Sequence, residues 1–173
     1  MTFVGIDPGA NGACCALAED GTVTLLKHDG ATEHDQWEWI SQWIGEPCHA
    51  MIEQQTARPS RIPDREHGGW RQTVLASTVM LYGSYRDLRT MLLCAAVSFE
   101  DCPPKRWQGG LHIPPKYKGE SDSSWKNKLK SKALDLFPHV KVTLWNADSL
   151  LIAEWCRRSY ANTRVADNNG LLL

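Results

Sequence analysis

The stretch Phe3–Gly12, "FVGIDPGANG", runs an apolar strand into a carboxylate, Asp7, and then into a turn built from Pro8, Gly9, Asn11 and Gly12. Asp before Pro-Gly is ordinary turn chemistry. A carboxylate at the end of a buried strand is nevertheless expensive to desolvate unless a partner or a metal compensates it. What surrounds Asp7 in the fold therefore decides what it is for.

Working outward, residues 2–7, roughly 13–18 and 22–27 read as three short strands separated by "PGANG" and "EDG", an antiparallel meander. Thr32 is placed to N-cap a helix in which Trp37, Ile40, Ser41 and Ile44 follow helical spacing and which Gly45-Glu46-Pro47 closes. "CHAMIE", 48–53, is a further strand, with a second carboxylate, Glu53, at its C-terminal end. A helix between two strands makes them parallel with a right-handed crossover, and functional groups gather at the carboxyl ends of such strands. Asp7 and Glu53 thus become neighbours. Two carboxylates held together repel unless one is protonated or a cation lies between them, and hard oxygen ligands suit Mg²⁺ or Mn²⁺.

The segment 56–69, "TARPSRIPDREHGG", reads as a loop beside the second acid, with Arg58, Arg61 and Arg65 available to phosphates. Residues 70–93 carry Val74, Thr78, Leu81, Tyr85, Leu88 and Leu92 at alternating spacings of four and three. This predicts a long helix whose stripe either lies on its own sheet or forms a self-association surface. "AAVSF", 95–99, reads as a short buried strand that "EDCPPKRWQGG" leaves through a proline-rich turn. A helix from about Ser124 to Phe137 sets Leu129, Ala133, Leu136 and Phe137 on one side and lysines on the others. "LWNADSLLIAEWCRR" predicts a last helix with Asn146 or Asp148 in its first turn. Asp148 is then either a cap favoured by the helix dipole or a third acid beside Asp7 and Glu53.

The 173 residues, 42% hydrophobic and 23% charged, have the balance of a single soluble globular domain. No apolar run approaches the ~18 residues that span a bilayer, and the N-terminus enters a strand without a basic-then-apolar leader. A cytoplasmic protein with no membrane partner is expected. The six cysteines include no C-x-x-C pair, which predicts free thiols. The net charge of −1 hides a local asymmetry: residues 105–132 hold eight Lys/Arg and two acids, Glu120 and Asp122. Lys105, Arg106, Lys116, Lys118, Lys126, Lys128, Lys130 and Lys132, interleaved with Trp107, Tyr117 and Trp125, form a surface suited to phosphate contact with aromatic neighbours, as nucleic-acid surfaces often show.

In the order "GIDPGANG", then "IEQQ", then "LFP" followed by "NADSLLIAEW", the chain resembles the RuvC-type Holliday junction resolvases, in particular their phage relatives, within the RNase H-like superfamily. The resemblance runs from Val4 to about Trp155. It implies an α/β RNase H-like fold, a five-stranded mixed sheet in the order 3-2-1-4-5 flanked by helices. It also implies a homodimer, here pairing through the 70–93 helix, and two-metal hydrolysis of DNA near the exchange point of a four-way junction. Mg²⁺ is the implied cofactor, with Mn²⁺ able to substitute. Asp7, Glu53 and Asp148 match the family's catalytic and metal-holding acids, and its assisting lysine corresponds to Lys116, Lys118 or Lys126. One departure stands out: family members usually carry Asp or His one turn before the last acid, and this chain has Trp145. Either a neighbour such as Asn146 substitutes, or the site works with three acids, or cleavage is weakened. A nuclease of the same fold acting on flaps or RNA–DNA hybrids, and a junction-binding protein without cleavage, fit the same residues. An actin-like phosphotransferase shares the opening motif but needs two such domains and a second phosphate loop.

Overall fold

The computed structural model describes residues 1–57, 59–63 and 66–170. Its first three strands, β1 (Thr2–Asp7), β2 (Ala13–Ala18) and β3 (Val23–Lys27), form the antiparallel meander that the turn signals predict, with Asp7 opposite Ala13. A capping box starts α1 (Glu33–Ser41): the Thr32 hydroxyl accepts from the Asp35 N–H while the Asp35 carboxylate accepts from the Thr32 N–H. The helix crosses to β4 (Cys48–Glu53), which lies parallel to β1.

Beyond β4 the chain departs from the expected loop and long helix. It forms a hairpin, β5 (Ser60–Pro63) paired antiparallel with β6 (Trp70–Thr73), and α2 (Ala76–Cys94) begins six residues later than its apolar stripe suggests. Both hairpin strands, "SRIP" and "WRQT", are polar and only four residues long, so cross-strand backbone pairing holds them with no apolar alternation to announce it. Arg58 and Arg65 lie outside the described residues, and Arg61 sits on β5 opposite Gln72.

The expected strand 95–99 is also displaced. Ala96 takes a left-handed φ of 53°, its N–H donates to the Leu93 carbonyl, and the Val97 N–H donates to the Leu92 carbonyl. This is a Schellman closure of α2, with Val97 and Leu92 packed in one cluster, so the apolar residues 95–97 end a helix. The strand itself is β7 (Ser98–Cys102), parallel to β4. A short helix, α3 (Pro104–Gly110), replaces the expected proline-rich turn. It is followed by α4 (Asp122–Leu136), N-capped by Ser121, and α5 (Ala147–Gly170).

The main sheet is mixed and runs β3-β2-β1-β4-β7. That is the expected order, the hairpin having inserted two strands in the count before the last. Helices α1 and α2 cover one face over Val4, Ile6, Cys14 and Ile52, and α3, α4 and α5 cover the other over Phe3, Cys15, Leu17 and Met51. On α2, Tyr85, Leu88 and Leu92 are buried against the sheet. That half of the stripe is core and not a seam between subunits, whereas Val79 and Met80 nearer its start are 58% and 72% exposed. The N-terminal half of α5 lies on β1 at Gly5, where a Cβ would stand 2.2 Å from the Ala153 nitrogen and 2.3 Å from the Ser149 carbonyl oxygen. Only glycine permits that approach. All six cysteines are free thiols, and no described helix is long and apolar enough to cross a membrane.

Candidate active site

Asp7 ends β1, Glu53 ends the neighbouring parallel strand β4, and Asp148 projects from the first turn of α5, which is packed on β1. The topology that makes β1 and β4 adjacent thus brings all three carboxylates within electrostatic reach of one another. Each is fixed differently. The Gly9 N–H donates to Asp7 Oδ1 at 3.1 Å. Glu53 Oε1 accepts from the Trp107 indole N–H, and its Oε2 accepts from the Gln55 amide, both at 3.1 Å. Asp148 Oδ2 accepts from the Lys126 ammonium, while its Oδ1 is buried without a hydrogen-bond partner.

These environments shift the acids in one direction. Burial pushes Glu53 up to about 8, reinforced by the charges of Asp7 and Asp148 and opposed by the Trp107 N–H and Lys126. Burial likewise raises Asp7, against the Gly9 N–H and Lys126, and raises Asp148, against Lys126 and with the help of Asp7. Burial works against the Lys126 charge too, but Asp148, Asp7 and Glu53 outweigh it and its pKa rises. Of the three lysines that sequence left open, Lys126 is therefore the one among the acids. Lys116 pairs with Asp122 and Lys118 is exposed in the turn before α4.

Asp7, Glu53 and Lys126 line a cleft of about 780 Å³ whose opposite wall is Ser77, Met80 and Leu81 of α2. The turn after β1 is braced from below by His28, whose Nδ1 lies 3.1 Å from the Gly9 carbonyl oxygen and whose Nε2 lies 3.3 Å from the Cys14 sulfur. Burial depresses the His28 pKa, so its ring is neutral. At Gly12 a Cβ would stand 2.3 Å from the Asp7 carbonyl oxygen and 2.8 Å from its carboxyl carbon. Trp107, Gln55 and His28 escape a reading by sequence. Trp107 reads there as one aromatic of the basic surface, and only the fold of α3 turns its N–H onto Glu53.

The remaining basic residues are spread along α3, α4 and the loop between them. Arg106 pairs with Glu100 at 2.7 Å, and Lys128 pairs with Glu120 at 2.7 Å while lying 4.3 Å from the Tyr117 ring centroid. Lys105 and Lys118 are exposed, and Lys130 and Lys132 are half-buried on α4. Asn146 does not substitute for a fourth acid: its Oδ1 accepts from the Thr143 N–H and hydroxyl, and its amide donates to the Lys141 carbonyl. Trp145 stands in the turn just before α5, half-buried.

Among the described residues, no three His, Cys, Asp or Glu side chains are placed closely enough to hold a metal ion. The donor chemistry nonetheless fits a hard divalent cation. Burial raises the pKa of all three carboxylates, Asp7 raises those of Glu53 and Asp148 further, Asp148 Oδ1 has no hydrogen-bond partner, and an ammonium group already answers their charge.

No family model and no curated protein matches this chain. Among solved structures it is similar to RuvC of Thermus thermophilus, at 17% identity with a TM-score of 0.50, over 94% of this chain and 96% of that one. It is also similar to T. thermophilus RuvC in complex with a Holliday junction substrate, at 14% identity with a TM-score of 0.54 and the same coverage. At such identities the likeness is one of architecture, and it is the α/β RNase H-like architecture of RuvC that this chain adopts.

Proposed function

We propose that this protein is a metal-dependent endonuclease that resolves four-way DNA junctions by paired nicking, and that it belongs with the phage relatives of the RuvC-type resolvases. The observation that carries the reading is the electrostatic contact of Asp7, Glu53 and Asp148, delivered by β1, β4 and α5, the first two lining a cleft together with Lys126. The RuvC-like fold and the order of motifs along the chain support it.

Asp7, Glu53 and Asp148 would hold Mg²⁺, or Mn²⁺ in its place, which when bound would supply a nucleophilic water and charge stabilisation for the leaving 3′ oxygen. The chain's own groups prepare that site. The Gly9 N–H orients Asp7, and Trp107 and Gln55 fix both oxygens of Glu53. Lys126 opposes the rise that burial gives the Asp148 pKa and offers a positive charge where a phosphate would enter. Lys105, Lys118, Lys130 and Lys132 extend positive charge along α3, α4 and the loop between them for the DNA arms, and Arg58 and Arg61 would add to it. Cutting yields 5′ phosphate and 3′ hydroxyl ends and needs no covalent intermediate.

Symmetric cutting of a junction requires two copies of the site. The exposed apolar start of α2, with Val79 and Met80, supports a homodimer formed there. A panel of four-way, Y-shaped, flap and RNA–DNA hybrid substrates in Mg²⁺ tests the whole reading. Paired nicks in the four-way junction are expected, absent with Asp7→Asn. Faster cleavage of flaps or hybrids would reassign the substrate within the same chemistry, and nicking by Asp7→Asn at the wild-type rate would remove the site.

A further inference from the structure

The acid-lined cleft does not end at Lys126. On its far side a second groove, of about 340 Å³, is walled by Asn11, Lys27, Lys126, Leu144 and Trp145. Asn11 and Lys126 belong to both, so the groove is a continuation of the cleft. Its volume falls within the ~300–1,000 Å³ of sites that hold small ligands. One wall is apolar and aromatic, with Leu144 51% exposed beside the half-buried Trp145 ring. The other carries two ammonium groups, Lys27 at the end of β3, paired with the exposed Asp29, and Lys126, paired with Asp148.

Two further observations separate this wall from ordinary edge packing. Trp145 stacks on no other aromatic ring among the described residues. The turn that presents it is rigid: the next residue, Asn146, is fully buried and closes three hydrogen bonds onto residues 141–143. An aromatic face on a fixed turn, with cations opposite and an acidic site next door, has the donor set of a nucleotide subsite. The ring takes a base and the cations take its phosphate.

Given the nuclease reading above, on which this rests, we propose that the groove holds the nucleotide adjacent to the phosphate at the acids, with its base against Trp145 and Leu144 and its own phosphate toward Lys27. At the branch point of a junction a base has lost a stacking neighbour on one side, and Trp145 replaces it. A base inside a continuous duplex has no free face to offer. The groove therefore reads the branch, and Trp145, in the place where related chains carry a metal-directed acid or imidazole, serves the substrate instead.

The test uses full-length protein in EDTA, where the DNA stays intact, with 2-aminopurine placed in turn at each position around the exchange point of a four-way junction. Trp145→Ala is expected to weaken junction binding by about tenfold, within the range that loss of one base stack produces. Trp145→Phe should bind within about threefold of wild type, because it keeps a ring face. At one position the probe should be dimmer in the wild-type and Phe complexes than in the Ala complex. Trp145→Leu, which keeps apolar bulk without a ring, should behave as Ala does and replaces it if Ala does not fold. Binding by a folded Leu variant equal to wild type, with no probe position distinguishing the two, would overturn the subsite and leave the nuclease reading standing. So would an equal loss of affinity for linear duplex. Failure of the wild-type protein to bind the junction would overturn both.

Discussion

The Lys126 ammonium donates to Asp148 Oδ2, joining α4 to the first turn of α5 at the point where three carboxylates meet. This ion pair is largely shielded on the acid's side, since the Asp148 side chain is 8% exposed. Lys126 lowers the pKa of Asp7, Glu53 and Asp148 alike. Replacing it with methionine should therefore raise all three, and Glu53 should titrate above its present value of about 8. Carboxyl ¹³C titration in EDTA measures this directly. An unmoved Glu53 would mean that Lys126 points elsewhere in solution.

The same shifts predict how the metal-free protein responds to pH. Glu53 has an ordinary value of 4.5 and is raised to about 8 by folding, so it holds its proton more tightly folded than unfolded. Its contribution to stability is thus fully present below about 4.5 and is lost as pH rises toward about 8. Asp7 and Asp148, also raised, act in the same sense. In EDTA the Tm should fall across that window, Glu53→Gln should flatten the fall, and added Mg²⁺ should reverse it by binding the ionised form. A Tm that rises with pH over the same range would contradict the clustering of the acids.

Trp107 supports Glu53 through one N–H, so Trp107→Phe keeps most of its bulk and removes that donor. Loss of such a supporting bond at a metal site typically costs about 10–100-fold in metal affinity or activity. Cleavage by Trp107→Phe should fall within that range, whereas Asp7→Asn and Glu53→Gln should exceed it while binding junctions as tightly as before. Single-turnover rates beside gel-shift affinities separate the two effects.

The meander, the capped α1 and the strand β4 are legible in the sequence, because each rests on a strong local signal: turn residues, a Thr32 cap, an apolar run closed by a carboxylate. The hairpin is not, since "SRIP" and "WRQT" owe their pairing to each other and carry no apolar alternation. The shift of β7 has a different cause. Its acids look like loop residues until Glu100 is seen to meet Arg106, and Asp101 to meet Tyr85 and Arg89. Nor does the sequence separate Lys126 from Lys116 and Lys118. Three lysines in one basic segment differ only in what α5 brings to meet them.

The two ends of α2 should respond differently to substitution. Leu88→Ala, in the core, should cost about 2–5 kcal/mol of stability. Val79→Lys, on the exposed start and outside the cleft lining, should yield a folded monomer that makes unpaired nicks. Sedimentation velocity with circular dichroism checks both. A wild-type monomer at micromolar concentration would dispose of the dimer.

Salt dependence distinguishes lysines that hold DNA from the lysine that serves the acids. Neutralising Lys130 and Lys132 with glutamine should reduce the salt slope of junction affinity by up to about 0.9 log unit for each phosphate no longer neutralised. An unchanged slope would leave α4 as a solvated face.

The seat of α5 on Gly5 has a bearing on how far this protein tolerates change. Asp7 and Asp148 are held relative to each other by two main chains in direct apposition, with no intervening side chain whose size or rotamer could alter their spacing. Core substitutions elsewhere, at Ala133 or Phe137 toward the far end of α4 for instance, should lower the melting temperature while leaving the spacing of the two acids unchanged in every molecule still folded. Thermal robustness and the spacing of Asp7 from Asp148 are then separately adjustable in this chain, as long as residue 5 has no side chain.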